Sequence, residues 1–308
     1  MKLITRSDFD GLACAVLLEE AGVIDSYQFV HPKDVQDGKV EITGNDVLAN
    51  VPYASGCGLW FDHHSSEDER LKQYGPIKFE GASHMAPSCA RVIYEYYNGA
   101  EKFKKFDDSG LMWAVDKYDS GDLTLDDVLY PTKWMLLAFV MDARTGLGRY
   151  KNYRISNYQL MMDMIKYCRT MSVEEILNQP DVQERITLYG KHEMTYEFML
   201  KMNTIVENNV IVIDLRNVKD ILSGNRFIEY VLYQAQNVSI REIWGRMQQN
   251  VVLTVGHSII NRTCKTDVGS LMLRYGGGGH RAVGTCQIAA ENADRAFREI
   301  IEELKANG

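Results

Sequence analysis

Residues 1–64 alternate short apolar runs with helix-like stretches, and that alternation limits the folds open to the chain more than any other feature. KLIT, YQFV, VLANV and GLWF have the length of strands, and LACAVLLEEAG between the first two has the length and pattern of a helix. Strands and helices in alternation build a parallel sheet covered by helices, so the N-terminal half is predicted to be α/β. In such sheets the ligand crevice lies beyond the C-terminal ends of the strands, which gives weight to the residues just after each run. Asp8-Phe9-Asp10-Gly11 comes after KLIT, Asn50 after VLA, and Asp62-His63-His64 after GLWF.

From about Ala86 the pattern turns helical, through LMWAVDKYDSGDL, PTKWMLLAFVMDA and NYQLMMDMIKYC. The stretch 181–206 has no proline and one glycine, Gly190, and is expected to be a long helix leading into a second domain. The last hundred residues begin again with NVIVIDLR. SIREIWGRM and VVLTVGHSII then read as a hairpin, followed by a helix (VGSLMLRY), the run Gly276 to Gly279, a strand (GTCQIAA) and an amphipathic helix (ADRAFREIIEELK). A chain of 308 residues can bury two cores. The expected organisation is a parallel-sheet domain over 1–185, a helical linker over 186–207, and a smaller α/β domain over 208–308.

Composition narrows the partners. A net charge of -8 opposes a protein that tracks long double-stranded nucleic acid, because such binding needs lysine and arginine against phosphates. A small phosphorylated ligand stays compatible with it. The longest apolar stretch, Trp134 to Met141, is well under half of the roughly 20 residues that cross a bilayer. The opening MKLITRSDFDG carries two carboxylates where a signal peptide needs an apolar centre, so a cytoplasmic protein without membrane contact is expected. The six cysteines form no C-x-x-C pair and are read as reduced. Association into a homodimer stays open.

The candidate chemistry sits at the predicted strand ends. Asp8 and Asp10 flank one residue, so in an extended segment both carboxylates could face one cation, although a helix cap is the commoner role of such a pair. Asp62-His63-His64 offers a carboxylate and two imidazoles, a mixed donor set suited to Mn²⁺, Fe²⁺ or Zn²⁺ rather than Ca²⁺. Asp116 lies in a helical pattern just after positions that look buried, where a carboxylate needs a partner, either a cation or Lys117, unless it is simply solvated. Asp119 and Asp122 read as a helix end and a turn. Four successive glycines let backbone N–H groups approach an anion, and His280 and Arg281 directly after them can donate to it, as can Arg262.

With D-x-D, D-H-H, the Asp116 segment and G-G-G-G-H-R in this order, the sequence resembles the DHH phosphoesterase family, which includes RecJ-like nucleases, oligoribonucleases, cyclic dinucleotide phosphodiesterases and exopolyphosphatases. The resemblance implies a catalytic domain followed by a DHH-associated substrate domain, and one or two divalent cations, usually Mn²⁺, that activate a water. It implies Asp8, Asp10, His63 and Asp116 as metal ligands, with Asp62, His63 and His64 forming the catalytic motif in which Asp62 and His64 orient ligands or substrate. Asn50, Arg262, Gly277, Gly278, Gly279, His280 and Arg281 are then the substrate-binding candidates. Two positions depart from the family pattern. Arg6 stands where many members have a histidine, and Asn50 where many have a metal-bridging aspartate, Asp46 lying too early in its strand to replace it. The expected activity is hydrolysis of a phosphodiester bond in a short or cyclic nucleotide. Exopolyphosphatase or phosphomonoesterase action, or an impaired nucleotide-binding regulator, are the alternatives.

Overall fold

The computed structural model describes residues 1–72 and 77–307. The chain divides into two compact units, the first of residues 1–63, 76–123 and 130–191, the second of 64–75, 124–129 and 192–308.

The first unit is built on β1 (Lys2–Arg6), β2 (Ser26–Val30), β3 (Asp46–Ala49), β4 (Leu59–Asp62) and β5 (Gly81–Ser83). Their order is β2-β1-β3-β4-β5, and every pairing is parallel. Leu3, Ile4, Val47, Leu48, Trp60 and Phe61 are wholly buried, as residues of parallel strands covered on both faces are. The helix Phe9–Glu20 is buried from Phe9 to Leu18 and packs against the helices Cys89–Tyr96, Leu111–Asp119 and Asn157–Thr170. It is therefore apolar on all sides rather than amphipathic. Gly11 makes its entry possible, since a Cβ there would lie 2.0 Å from the Arg6 carbonyl oxygen. From β1 the sheet grows outward to β2 on one side and to β3, β4 and β5 on the other. A crevice consequently opens between the ends of β1 and β3, where the winding reverses.

The second unit carries a six-stranded sheet of β6 (Thr204–Glu207), β7 (Val210–Asp214), β8 (Val238–Trp244), β9 (Asn250–His257), β10 (Gly278–His280) and β11 (Val283–Ala289). Their order is β10-β11-β9-β8-β7-β6, antiparallel except between β7 and β8. The predicted hairpin is β8 and β9. Val238, Ile240, Leu253 and Val255 on one face meet Leu271 and Met272 of the helix Val268–Leu273 and Ile300 and Leu304 of the helix Ala290–Ala306. The α/β class expected from the alternation is thus borne out, with a parallel sheet in one unit and a mixed sheet in the other.

The long helix expected over 181–206 ends four residues earlier than the composition suggested. The long helix is Pro180–Met202, and Thr204–Glu207 is β6 instead. Thr204, Ile205 and Val206 are β-branched, and a two-residue turn at Asn208 and Asn209 folds them back on β7, with Asn208 left-handed at φ 55°. No helix among the described residues is long and apolar enough to cross a membrane.

Candidate metal centre

Asp10 is fixed more firmly than any other candidate. It lies in the first turn of the Phe9–Glu20 helix, so the pair Asp8 and Asp10 is not the extended segment that the D-x-D spacing allowed. Its Oδ2 accepts from the Cys89 N–H at 2.9 Å and its Oδ1 from the Ala90 N–H at 2.8 Å. These are N–H groups of the first turn of the Cys89–Tyr96 helix, where a carboxylate answers unsatisfied donors and the positive end of the helix dipole. Burial nevertheless holds the Asp10 carboxyl well above the usual carboxylate range, and the Asp119 and Asp8 carboxylates push it the same way, against the two backbone donors. Like charges gathered in a buried place call for a cation.

His63 follows β4 and is buried. Its Nδ1 stands 3.1 Å from the Ala86 carbonyl oxygen, which only an Nδ1–H can use, so the bond selects the tautomer whose Nε2 carries a lone pair. Nε2 faces Asp10 Oδ2 at 3.5 Å and Asp119 Oδ2 at 3.2 Å. The ligand atoms of Asp10, His63 and Asp119 all lie within 4.8 Å of one another. Two carboxylates around an imidazole nitrogen whose other nitrogen is tied to a carbonyl form a donor set that fits a divalent cation.

Asp119, and not the expected Asp116, is the carboxylate of this helix that stands beside His63. The Asp116 carboxylate accepts from the Ser88 hydroxyl at 2.7 Å and from Arg91 Nε at 2.9 Å, an arrangement that ties the Leu111–Asp119 helix to the Cys89–Tyr96 helix. Asp119, about one turn later, ends the helix and reaches His63. The sequence does not separate the two, since both lie in the last turn of the helix, where a negative charge opposes the dipole.

Asp8 caps the Phe9–Glu20 helix. Its Oδ1 accepts from the Gly11 N–H at 2.9 Å and from Asn50 Nδ2 at 3.1 Å, and its Oδ2 lies 3.0 Å from Arg6 Nε. The two residues that depart from the family pattern, Arg6 and Asn50, therefore both engage the same carboxylate. Asn50 leaves β3 in the left-handed region, φ 56°, a conformation asparagine tolerates better than most residues. Arg144, held by Asp142 at 2.8 Å, is near enough to Asp8 for their charges to interact. Asp46 is buried away from this group, accepting from the Thr43 N–H and hydroxyl at 2.7 and 2.9 Å. Asp62 is the buried last residue of β4, and its carbonyl accepts from the His84 N–H.

The boundary between the units falls between His63 and His64. Within the second unit, His64 stacks on His280, ring centroids 4.1 Å apart and planes 20° from parallel. The last residue of D-H-H and the histidine of G-G-G-G-H-R thus meet. The glycines themselves have a packing reason. Gly278, Gly279 and His280 pair with β11 as the edge strand β10, and a Cβ at Gly277 or Gly279 would lie 2.1 or 2.2 Å from the Thr285 or Val283 carbonyl oxygen. Arg281 is exposed just after the strand, and Arg262 is exposed with its Nε donating to the Ile259 carbonyl at 3.0 Å.

No protein-family model matches the sequence, and no curated protein matches it. Solved structures do. A structure described as the pGpG-specific phosphodiesterase PggH from Vibrio cholerae is 48% identical, with a TM-score of 0.75, and the match covers 100% of this chain and 99% of that one. A DHH-domain structure described as belonging to a family of ribosomal proteins shares the fold at a TM-score of 0.56 and 13% identity, over 99% of this chain and 86% of that one. With the motifs D-x-D, D-H-H and G-G-G-G-H-R in sequence order and nearly half of all positions shared end to end with that phosphodiesterase, the chain belongs to the DHH phosphoesterase family.

Proposed function

We propose that the chain is a divalent-metal phosphodiesterase that cleaves a short linear dinucleotide, pGpG foremost, into two mononucleotides. The supporting observation is the 48% identity, over the full length of this chain, to a protein described as specific for pGpG. Asp10, His63 and Asp119 would hold the cation, Mn²⁺ before Ca²⁺ by the nature of the donors, and the bound metal would supply a water of lowered pKa and a counter-charge to phosphate oxygen.

The protein's own groups do the rest. The Cys89 and Ala90 N–H groups orient Asp10, and the Ala86 carbonyl holds the His63 tautomer. Arg6 and Arg144 bring positive charge beside Asp8, where a phosphate group of the substrate would meet it. Asp62 and His64 orient neighbouring groups, and Asn50, His280, Arg281, Arg262 and the backbone of Gly277, Gly278 and Gly279 serve as contacts to the substrate. Six cysteines without a paired motif fit a cytoplasmic setting.

The test is product analysis with purified protein, Mn²⁺ and pGpG. Release of GMP, lost in both Asp10→Ala and His63→Ala, is the expected result. Shortening of polyphosphate with pGpG left intact would replace the reading with an exopolyphosphatase. Thermal stabilisation by pGpG without turnover under Mn²⁺, Mg²⁺ or Zn²⁺ would replace it with a binding protein.

A further inference from the structure

The C-terminal half of the Pro180–Met202 helix is apolar on both sides. Tyr196, Met199 and Leu200 are buried, yet Met194, Phe198 and Met202 are 86%, 64% and 68% exposed. Residues four apart share a helix face, so these three make one stripe. Three residues further on, on the outermost strand of the second sheet, Ile205 and Val206 are 61% and 45% exposed, one on each face of the strand. Single apolar side chains at a surface are ordinary, but five between residues 194 and 206 are not.

We propose that this face is a homodimer interface, with the second copy lying antiparallel across it about a two-fold axis through Phe198. A two-fold interface requires a patch complementary to itself. Met-x-x-x-Phe-x-x-x-Met reads the same in both directions, so such an axis sets Phe198 against the partner subunit's Phe198 and Met194 against the partner subunit's Met202. Charge does not oppose this, although the chain carries -8 overall: Glu197 and Lys201, which border the stripe, neutralise each other at 2.6 Å within one helix. The three side chains of the stripe would withdraw on the order of 400 Å² per copy, about half of the roughly 800 Å² that each partner gives to a standard interface, the flanking surface supplying the rest. The proposal is independent of the chemistry at the metal centre.

The molar mass of the full chain at micromolar concentration, by light scattering, tests it. The expected value is twice 35.1 kDa, falling to 35.1 kDa in Phe198→Glu with an unchanged far-ultraviolet circular dichroism spectrum. Should that variant fail to fold, cysteine cross-linking decides. Phe198→Cys should give a covalent dimer on mild oxidation, Met194→Cys alone should give little, and Met194→Cys mixed with Met202→Cys should give the dimer again. A monomeric wild-type chain overturns the proposal, as this face is then covered by another protein or by nothing. So does a dimer that survives Phe198→Glu, or a cross-linking pattern without the Phe198 preference.

Discussion

Asp119 Oδ2 stands 3.2 Å from His63 Nε2, while Asp116, about one helical turn earlier, is spent on Ser88 and Arg91. The two aspartates should therefore fail in different ways when neutralised. Asp119→Asn should weaken divalent-metal binding and turnover by about 100-fold, as loss of a ligand or its support does, with little change in the metal-free melting temperature. Asp116→Asn should keep metal binding within a few-fold and cost about 1 kcal/mol of stability, from a partly exposed ion pair. Calorimetric titration with Mn²⁺ beside thermal unfolding separates them, and the reverse pattern would return the ligand role to Asp116.

Asn50 donates to Asp8 from a left-handed backbone. Asn50→Asp keeps that conformation but trades a donor for a second carboxylate beside the first. The metal-free protein should lose about 1 to 2 kcal/mol, and saturating Mn²⁺ should recover more than this loss. Melting curves with and without the metal read the change of sign. A variant as stable as the wild type without metal would show that the Asn50 to Asp8 bond contributes nothing.

Gly279 adopts φ 151° with a backbone oxygen in the path of any Cβ. Gly279→Ala should cost more than about 2 kcal/mol in denaturant unfolding, whether or not substrate is present. If the glycines serve a ligand alone, stability would stay level and only substrate affinity would drop.

Glu242 is buried on β8, and Arg216 Nε lies 3.1 Å from its Oε2. Burial pushes its carboxyl up to about 7 despite the Arg216 guanidinium, which pulls the other way, and Asp214 and Asp294 add to the rise. An acid whose pKa is higher in the folded state holds its proton longer there than in the unfolded chain. Its contribution is whole below the ordinary glutamate pKa and fades as pH rises towards 7, by at most about 3 kcal/mol. Glu242→Gln should flatten the fall in melting temperature between pH 5 and pH 7, as scanning calorimetry across that range would show.

Much of the first unit was legible because a parallel sheet gathers its ligand-facing residues just past the strand ends: Asp8, Asp10, Asn50 and His63 all stand there. The choice between Asp116 and Asp119 was not legible, since both lie within one turn of the same helix and the deciding partners, Ser88 and Arg91, are far away in sequence. In β6, the β-branched Thr204-Ile205-Val206 outweighed the absence of proline that made the region look helical. The glycine run announced a close approach without saying of what, and the answer includes β11. Nothing local marks residues 64–75 and 124–129 as belonging with the second sheet, because only tertiary packing assigns them there.

The Asp10 carboxylate is held by N–H groups 79 and 80 residues further along the chain, and His63 by a carbonyl beyond β5. No fragment that ends before Asp119 can present this whole group of donors. A nascent chain would thus gather these donors late, once residues through Asp119 had emerged and docked, and metal uptake would report that this half of the molecule had largely finished folding.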